Sequence, residues 1–249
     1  MNTGNPLMAQ LALLDDTARP EDDWRVRTST RARRLAVRVL PGGLVEIVVP
    51  RGTRPRVIEQ FVTRHRPWID RKLAQYRPLD RADADGLPER IRFAANGESF
   101  DVQYADAPGA LRLTVDGQTI RMSGPRARSI LMRHALQRFA MRHAHAVLSP
   151  WLAQLSLATG LPFARLQIRR QRTRWGSCSR NGTISLNVCL LFQPPQVVNY
   201  LLIHELAHTR HMNHSARFCD LVGRIEPHWR ALDAELTHGW RQVPAWVLR

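Results

Sequence analysis

The stretch Tyr200-Leu-Leu-Ile-His204-Glu205-Leu-Ala-His208, continued by Thr-Arg-His211-Met-Asn213-His214, constrains this chain more than any other. His204 and His208 are four residues apart, so on a helix they share one face, about one turn from each other. Two imidazoles held in this way can reach one metal ion from a rigid support. Glu205 points about a quarter turn away, towards the open side of the metal rather than into its coordination sphere. A zinc ion with three protein ligands keeps a fourth position for water and can lower that water's pKa to roughly 7. A carboxylate beside the water can take its proton and pass it to a leaving group. This is the H-E-x-x-H arrangement of zinc hydrolases. It makes His204 and His208 candidate zinc ligands and Glu205 the candidate catalytic base, with one zinc per chain.

A five-residue match can arise by chance, so its context decides. Val197-Val-Asn-Tyr-Leu-Leu-Ile before it and Leu206-Ala207 inside it are apolar and helix-compatible, and Pro194-Pro195 suits a helix start. The helix is expected to end near His211-Met-Asn. His214, six residues past His208, is the candidate third ligand, brought back to the metal by a turn. Helix, motif and third histidine together favour a metal site over a buried amphipathic helix with merely hydrogen-bonded histidines.

A hydrophobic fraction of 44% in 249 residues allows a real core in one large domain or two small ones. No apolar run approaches the ~20 residues needed to span a bilayer. Residues 1–23 lack a basic lead-in and periodicity, so they read as a flexible leader rather than a secretory signal. Cys178, Cys189 and Cys219 form no zinc-knuckle spacing, and an odd count suits a reducing compartment. A cytoplasmic protein is expected. The net charge of +16, with a pI of about 11.5, favours encounters with nucleic acid, anionic membrane surfaces or acidic substrates. The arginines are spread along the chain, so a merely solvated basic face is the alternative.

Taken in order, Arg34–Leu40, Pro41-Gly42-Gly43 and Leu44–Val49 read as a β-hairpin after an extended Trp24–Ser29. Thr53 and Pro55 introduce a helix that Pro67 is expected to break or restart, and Pro78 to Pro88 reads as a polar linker. Asn96-Gly97 and Asp116-Gly117 mark two more strand turns. Helical spacing runs from Pro125 to Gly160, with Pro150 expected to kink or divide it. His134, His143 and His145 on that segment read as solvated or packing residues. Leu166-Gln-Ile168 reads as a strand, and Asn181-Gly182 closes a hairpin just before the metal helix. Ser215 can cap a following helix, and Pro227 starts a last one. No internal repeat is visible. The expected organisation is a leader at 1–23, a β-rich region at 24–124 with one helical segment, and a domain at 125–249 carrying the metal motif.

Arg174-Trp-Gly-Ser-Cys178, Leu186-Asn187, Tyr200, His204-Glu205-Leu-Ala-His208, Asn213-His214-Ser215, Phe218 and Pro227 together resemble the YgjP-like branch of the SprT-like zinc metallopeptidases. The similarity covers about residues 24–235. It implies an α+β fold with a small zincin-like core, a strand hairpin followed by the zinc helix, and β-rich decoration N-terminal to it. It also implies zinc held by His204, His208 and His214, with Glu205 as general base. Cys219 stands where the family usually has tryptophan, a difference of packing. His211 is an extra histidine, read as a loop residue with an alternate ligand role as the other option. Arg174, Trp175 and Asn187 are candidate substrate-binding residues. Arg172 or Arg174 can stabilise an oxyanion. Cys178, beside a basic cluster but with no adjacent histidine base, reads as structural.

The leading expectation is therefore a cytoplasmic zinc-dependent metallopeptidase acting on a peptide or protein, with the Thr183–Asn187 strand aligning an extended peptide by β-augmentation. The alternatives are a hydrolase of phosphate-bearing substrates such as nucleotides on the same zinc core, and a nucleic-acid-associated protease. A contiguous stripe of arginines is the mark of the last.

Overall fold

Turn chemistry sets the antiparallel hairpins of this protein. The computed structural model describes residues 24–76, 86–125 and 129–248. The expected leader and most of the expected 78–88 linker lie outside them. The chain divides into two compact units, one ending at Arg77 and the other beginning at Pro78.

In the first unit, β1 (Trp24–Ser29), β2 (Ala36–Val39) and β3 (Val45–Pro50) form a sheet of order β1-β3-β2. The β2–β3 pair is the expected hairpin around Pro41-Gly42-Gly43, while β1 lies parallel to β3. Helix α1 (Pro55–Tyr76) follows, and its Ile58 and Val62 pack with Ile47 and Val49. Pro67 neither breaks nor restarts this helix. Val62 and Ile69, buried on either side of it, anchor the two turns in separate clusters that share Trp24 and Val37.

The second unit holds two sheets. Strands β4 (Arg90–Arg92), β5 (Ser99–Asp106), β6 (Arg112–Asp116) and β7 (Thr119–Gly124) are ordered β4-β5-β7-β6. Strands β8 (Arg165–Arg169), β9 (Gly176–Cys178) and β10 (Thr183–Asn187) are ordered β8-β10-β9. Asn181-Gly182 closes the β9–β10 hairpin, with Gly182 at φ 73°, a conformation that favours glycine.

One pairing plan recurs. β1, β5 and β8 each lie parallel to the third strand of their set, and the second and third strands form a hairpin. A helix follows each set: α1, then α2 (Ser129–Thr159), then α3 (Pro195–Ala207). The sequence shows no repeat because the shared feature is backbone pairing, which many side-chain sets satisfy.

Helix α2 is continuous through Pro150. Leu136, Leu148 and Leu152 are fully buried along it. Each contributes about 1.5–3 kcal/mol, more in sum than the ~3 kcal/mol that an interior proline costs. Helix α2 packs on β8, on α3 and on the 3-10 turn Val188–Phe192. Helices α4 (Ala216–Ile225) and α5 (Trp229–His238) pack against α3, and a 3-10 turn (Gly239–Gln242) and α6 (Ala245–Leu248) end the described chain. The architecture is α+β, with a strand hairpin feeding the helix that carries His204 and His208. No helix among the described residues is long and apolar enough to cross a membrane.

Candidate metal centre

Helix α3 begins, as its prolines predict, with Pro194 at the cap and Pro195 in the first turn. Val197, Val198, Leu202 and Leu206 are fully buried, so this helix runs through the core rather than over it. It stops at Ala207, earlier than expected, and His208 is its C-terminal cap. The amides of Thr209 and Arg210 bond the carbonyls of Leu206 and Ala207, which tightens the last turn. The chain then reverses through Met212-Asn213, and Ser215 caps α4 by position, without a side-chain bond. That reversal returns His214 to the helix.

The three imidazoles converge. His204 Nε2 lies 3.2 Å from His208 Nε2 and 3.2 Å from His214 Nε2. The far sides of two rings fix their protons. The Tyr200 hydroxyl donates to Asp233 Oδ1 at 2.8 Å, so at His204 Nδ1, 3.2 Å away, it accepts an N–H. His208 Nδ1 faces the His211 carbonyl at 2.9 Å and must also carry its proton. Both Nε2 atoms are therefore bare, and lone pairs facing at such a distance repel unless a cation lies between them. Tetrahedral zinc–nitrogen bonds of 2.0–2.1 Å give N···N edges of ~3.3 Å, so the donor set fits a zinc-sized ion. Burial first, then the neighbouring His208 and His214, pushes His204 down to about 3, which favours the neutral ligand form. Burial likewise lowers His208, although the His211 carbonyl opposes it.

Among the described residues, His204, His208 and His214 are the one group of side chains able to hold a metal ion. The His211 ring stays outside it, and its backbone carbonyl orients His208 instead. Phe218 from α4 packs on all three rings, stacked on His208 at a 4.5 Å centroid distance.

Glu205 is buried, and its Oε2 has no hydrogen-bond partner among the described residues. Burial pushes its carboxyl up to about 8, against the pull of the Arg174 charge. The carboxyl lies against Gly176 of β9. A Cβ there would sit 2.5 Å from Glu205 Oε1 and 2.9 Å from its Cγ. Glycine inside a strand often marks such a close approach, and that is the one sequence signal for this role. Cys178, two residues on, is a thiol at neutral pH, since burial and then Glu205 push it up to about 11.

The remaining expected site residues behave differently from one another. Arg174 is exposed and acts electrostatically on Glu205. Trp175 is nearly buried, its ring stacked on Trp240 at 4.1 Å and 27°. Asn187 is fully buried. Its Nδ2 donates to the Gln171 and Arg174 carbonyls at 2.7 Å each, and its Oδ1 accepts from the Cys189 amide. With both ends engaged, Asn187 faces the backbone that carries Arg174 and offers nothing to a substrate. The β10 strand is central, paired with β8 on one side and β9 on the other. It therefore has no free edge for a peptide; the edge strands of this sheet are β8 and β9. Sequence reasoning missed Asp233 and Trp240, since an acid and a tryptophan on C-terminal helices carry no motif.

The model of the YgjP-like family, metallopeptidase domain, matches residues 33–239. No curated protein matches the chain. A crystal structure of the metallopeptidase zymogen of Pyrococcus abyssi abylysin is similar over 36% of this chain and 92% of its own, at 24% identity and a TM-score of 0.34. The family match spans both the β9 segment and the whole histidine triad, and the chain belongs to the YgjP-like metallopeptidases.

Proposed function

We propose that this metallopeptidase is a zinc enzyme in which His204, His208 and His214 hold the ion and Glu205 is the general base. The observation that supports it best is the convergence of two bare imidazole nitrogens on a third, beside a carboxylate oxygen with no hydrogen-bond partner among the described residues. Zinc bound there supplies a Lewis acid for the scissile carbonyl and for the attacking water. The other parts are the chain's own. Glu205, held against Gly176, takes the proton of the attacking water and delivers it to the departing amine. Tyr200 and Asp233 fix the His204 ring, and the His211 carbonyl fixes that of His208. Arg174, exposed beside Glu205, is placed to meet negative charge developing on the carbonyl oxygen. The β9 edge aligns an extended peptide, and Asn187 shapes the loop that presents Arg174 and Trp175.

Elemental analysis of the purified protein tests the ligand set. About one zinc per chain is expected, retained in His211→Ala and lost in His214→Ala. Retention in His214→Ala with loss in His211→Ala would show that the third ligand is misassigned.

A further inference from the structure

Helix α4 has two unlike sides. Phe218 and Val222 are buried, and Phe218 packs on the histidine rings. Arg217 and Arg224 lie on another side and line a cavity with Asp220 and Leu221. Arg210 and His211, from the loop joining His208 to His214, complete its wall. A second cavity shares Asp220 and Arg224 and adds Arg230, whose guanidinium lies 4.6 Å from the Trp229 ring. Four arginines and one aspartate thus border two adjoining hollows along one helix.

What sets these arginines apart from other surface arginines is that they gather around a concavity. Arg27, Arg66, Arg90 and Arg121 each pair with a carboxylate. Among the described residues, no carboxylate pairs with Arg210, Arg217, Arg224 or Arg230, although Asp220 shares both hollows. Guanidiniums gathered around a concavity repel one another, and an anion there relieves the repulsion.

We propose that this trough is a subsite for an acidic segment of the peptide substrate, a reading that rests on the peptidase function above. Arg210 and His211 belong to the five-residue loop that joins two of the triad histidines, so one wall of the trough is built from the chain that runs between two ligands of the metal centre. Arg217 and Arg224 are seven residues apart, ~10.5 Å along the helix axis. An extended peptide advances ~3.3 Å per residue, so that spacing spans about three residues of it, and the reach of the long arginine side chains admits carboxylates two to four residues apart. Guanidinium forks hold carboxylates in two parallel bonds. Nucleic acid is the other polyanion such a trough can meet, but nothing in phosphate binding calls for a wall built from the metal loop.

The test compares two fluorogenic peptides, one with a Glu-x-Glu segment on one side of the cleaved bond and one with Gln-x-Gln. Zinc-loaded wild type is set against R217E/R224E. The acidic peptide is expected to have at least about a tenfold higher kcat/KM in wild type, through KM, as charge-assisted pairs give. R217E/R224E is expected to abolish or invert that ratio. In parallel, a fluorescein-labelled acidic peptide and a labelled thymidine oligonucleotide are titrated against both proteins at low salt. Acidic-peptide binding that needs Arg217 and Arg224, without cleavage of either peptide, would uphold the trough and sink the peptidase reading. Equal cleavage of both peptides by both proteins would sink the trough alone. Tighter binding of the oligonucleotide, lost in R217E/R224E, would overturn the proposal by assigning the trough to nucleic acid.

Discussion

The sheets β1-β3-β2 and β8-β10-β9 are paired alike: a first strand parallel to the third, a hairpin between second and third, then a helix opened by proline. Their second strands begin at equivalent places, Ala36 opposite Val48 and Gly176 opposite Leu186. Among the described residues, only the later set leads into a side-chain group able to hold a metal ion. In α1, His65 bonds its own helix at the Phe61 carbonyl and packs on the Phe61 ring. In α3, His204 and His208 turn their bare nitrogens towards each other and His214, and Glu205 fills the space that a methyl group at Gly176 would take. Shared topology sets a strand ahead of a helix. A missing side chain on that strand and a returning histidine convert the arrangement into a metal site.

Substitutions break this comparison to different degrees. Gly176→Ala is expected to have the largest effect of this set, because its Cβ overlaps Glu205 down to Cγ. Peptide hydrolysis is expected to fall on the order of 10²-fold, the lower range for losing a general base, with zinc content unchanged by elemental analysis. Asp233→Asn weakens the support behind Tyr200 and His204, so competition with a chelator is expected to show roughly 10–100-fold weaker zinc binding. Trp240→Ala removes the ring stacked on Trp175 and is expected to cost about 3–5 kcal/mol in denaturant unfolding. Trp240→Phe is expected to recover part of that, since a smaller ring can still stack. Ala36→Ser, at the equivalent place in the first unit, is expected to change stability within about 0.5 kcal/mol and to leave zinc binding alone. Comparable losses from Ala36→Ser and Gly176→Ala would erase the distinction between the two sheets.

Local features of this fold were readable because their signals are local. Asn181-Gly182 and Pro41-Gly42-Gly43 gave their hairpins, Pro194-Pro195 gave the helix start, and the spacing of His204, His208 and His214 gave the triad that the structure brings together. Pro67 and Pro150 misled, since burial on both sides of each proline outweighs one lost backbone bond. The parallel partners of β3, β7 and β10 were hidden, because such pairing joins residues distant in sequence and leaves no turn to mark it. That is why β10 looked available to a peptide. Asp233 lies 33 residues beyond Tyr200. Trp240 is similarly remote from Trp175, and only folding joins either pair. Asn187 reads in the sequence as a candidate substrate-binding residue, whereas its amide serves the backbone.

The most direct test of the central claim is peptide hydrolysis by zinc-loaded Glu205→Gln, measured with its metal content. The substitution keeps the side chain's size beside Gly176 and removes only the base. Zinc is expected to remain at about one per chain, while turnover falls roughly 10²–10⁴-fold, the scale for losing a general base. Turnover unchanged at full zinc occupancy would contradict the account, as would a variant that folds but no longer holds the metal.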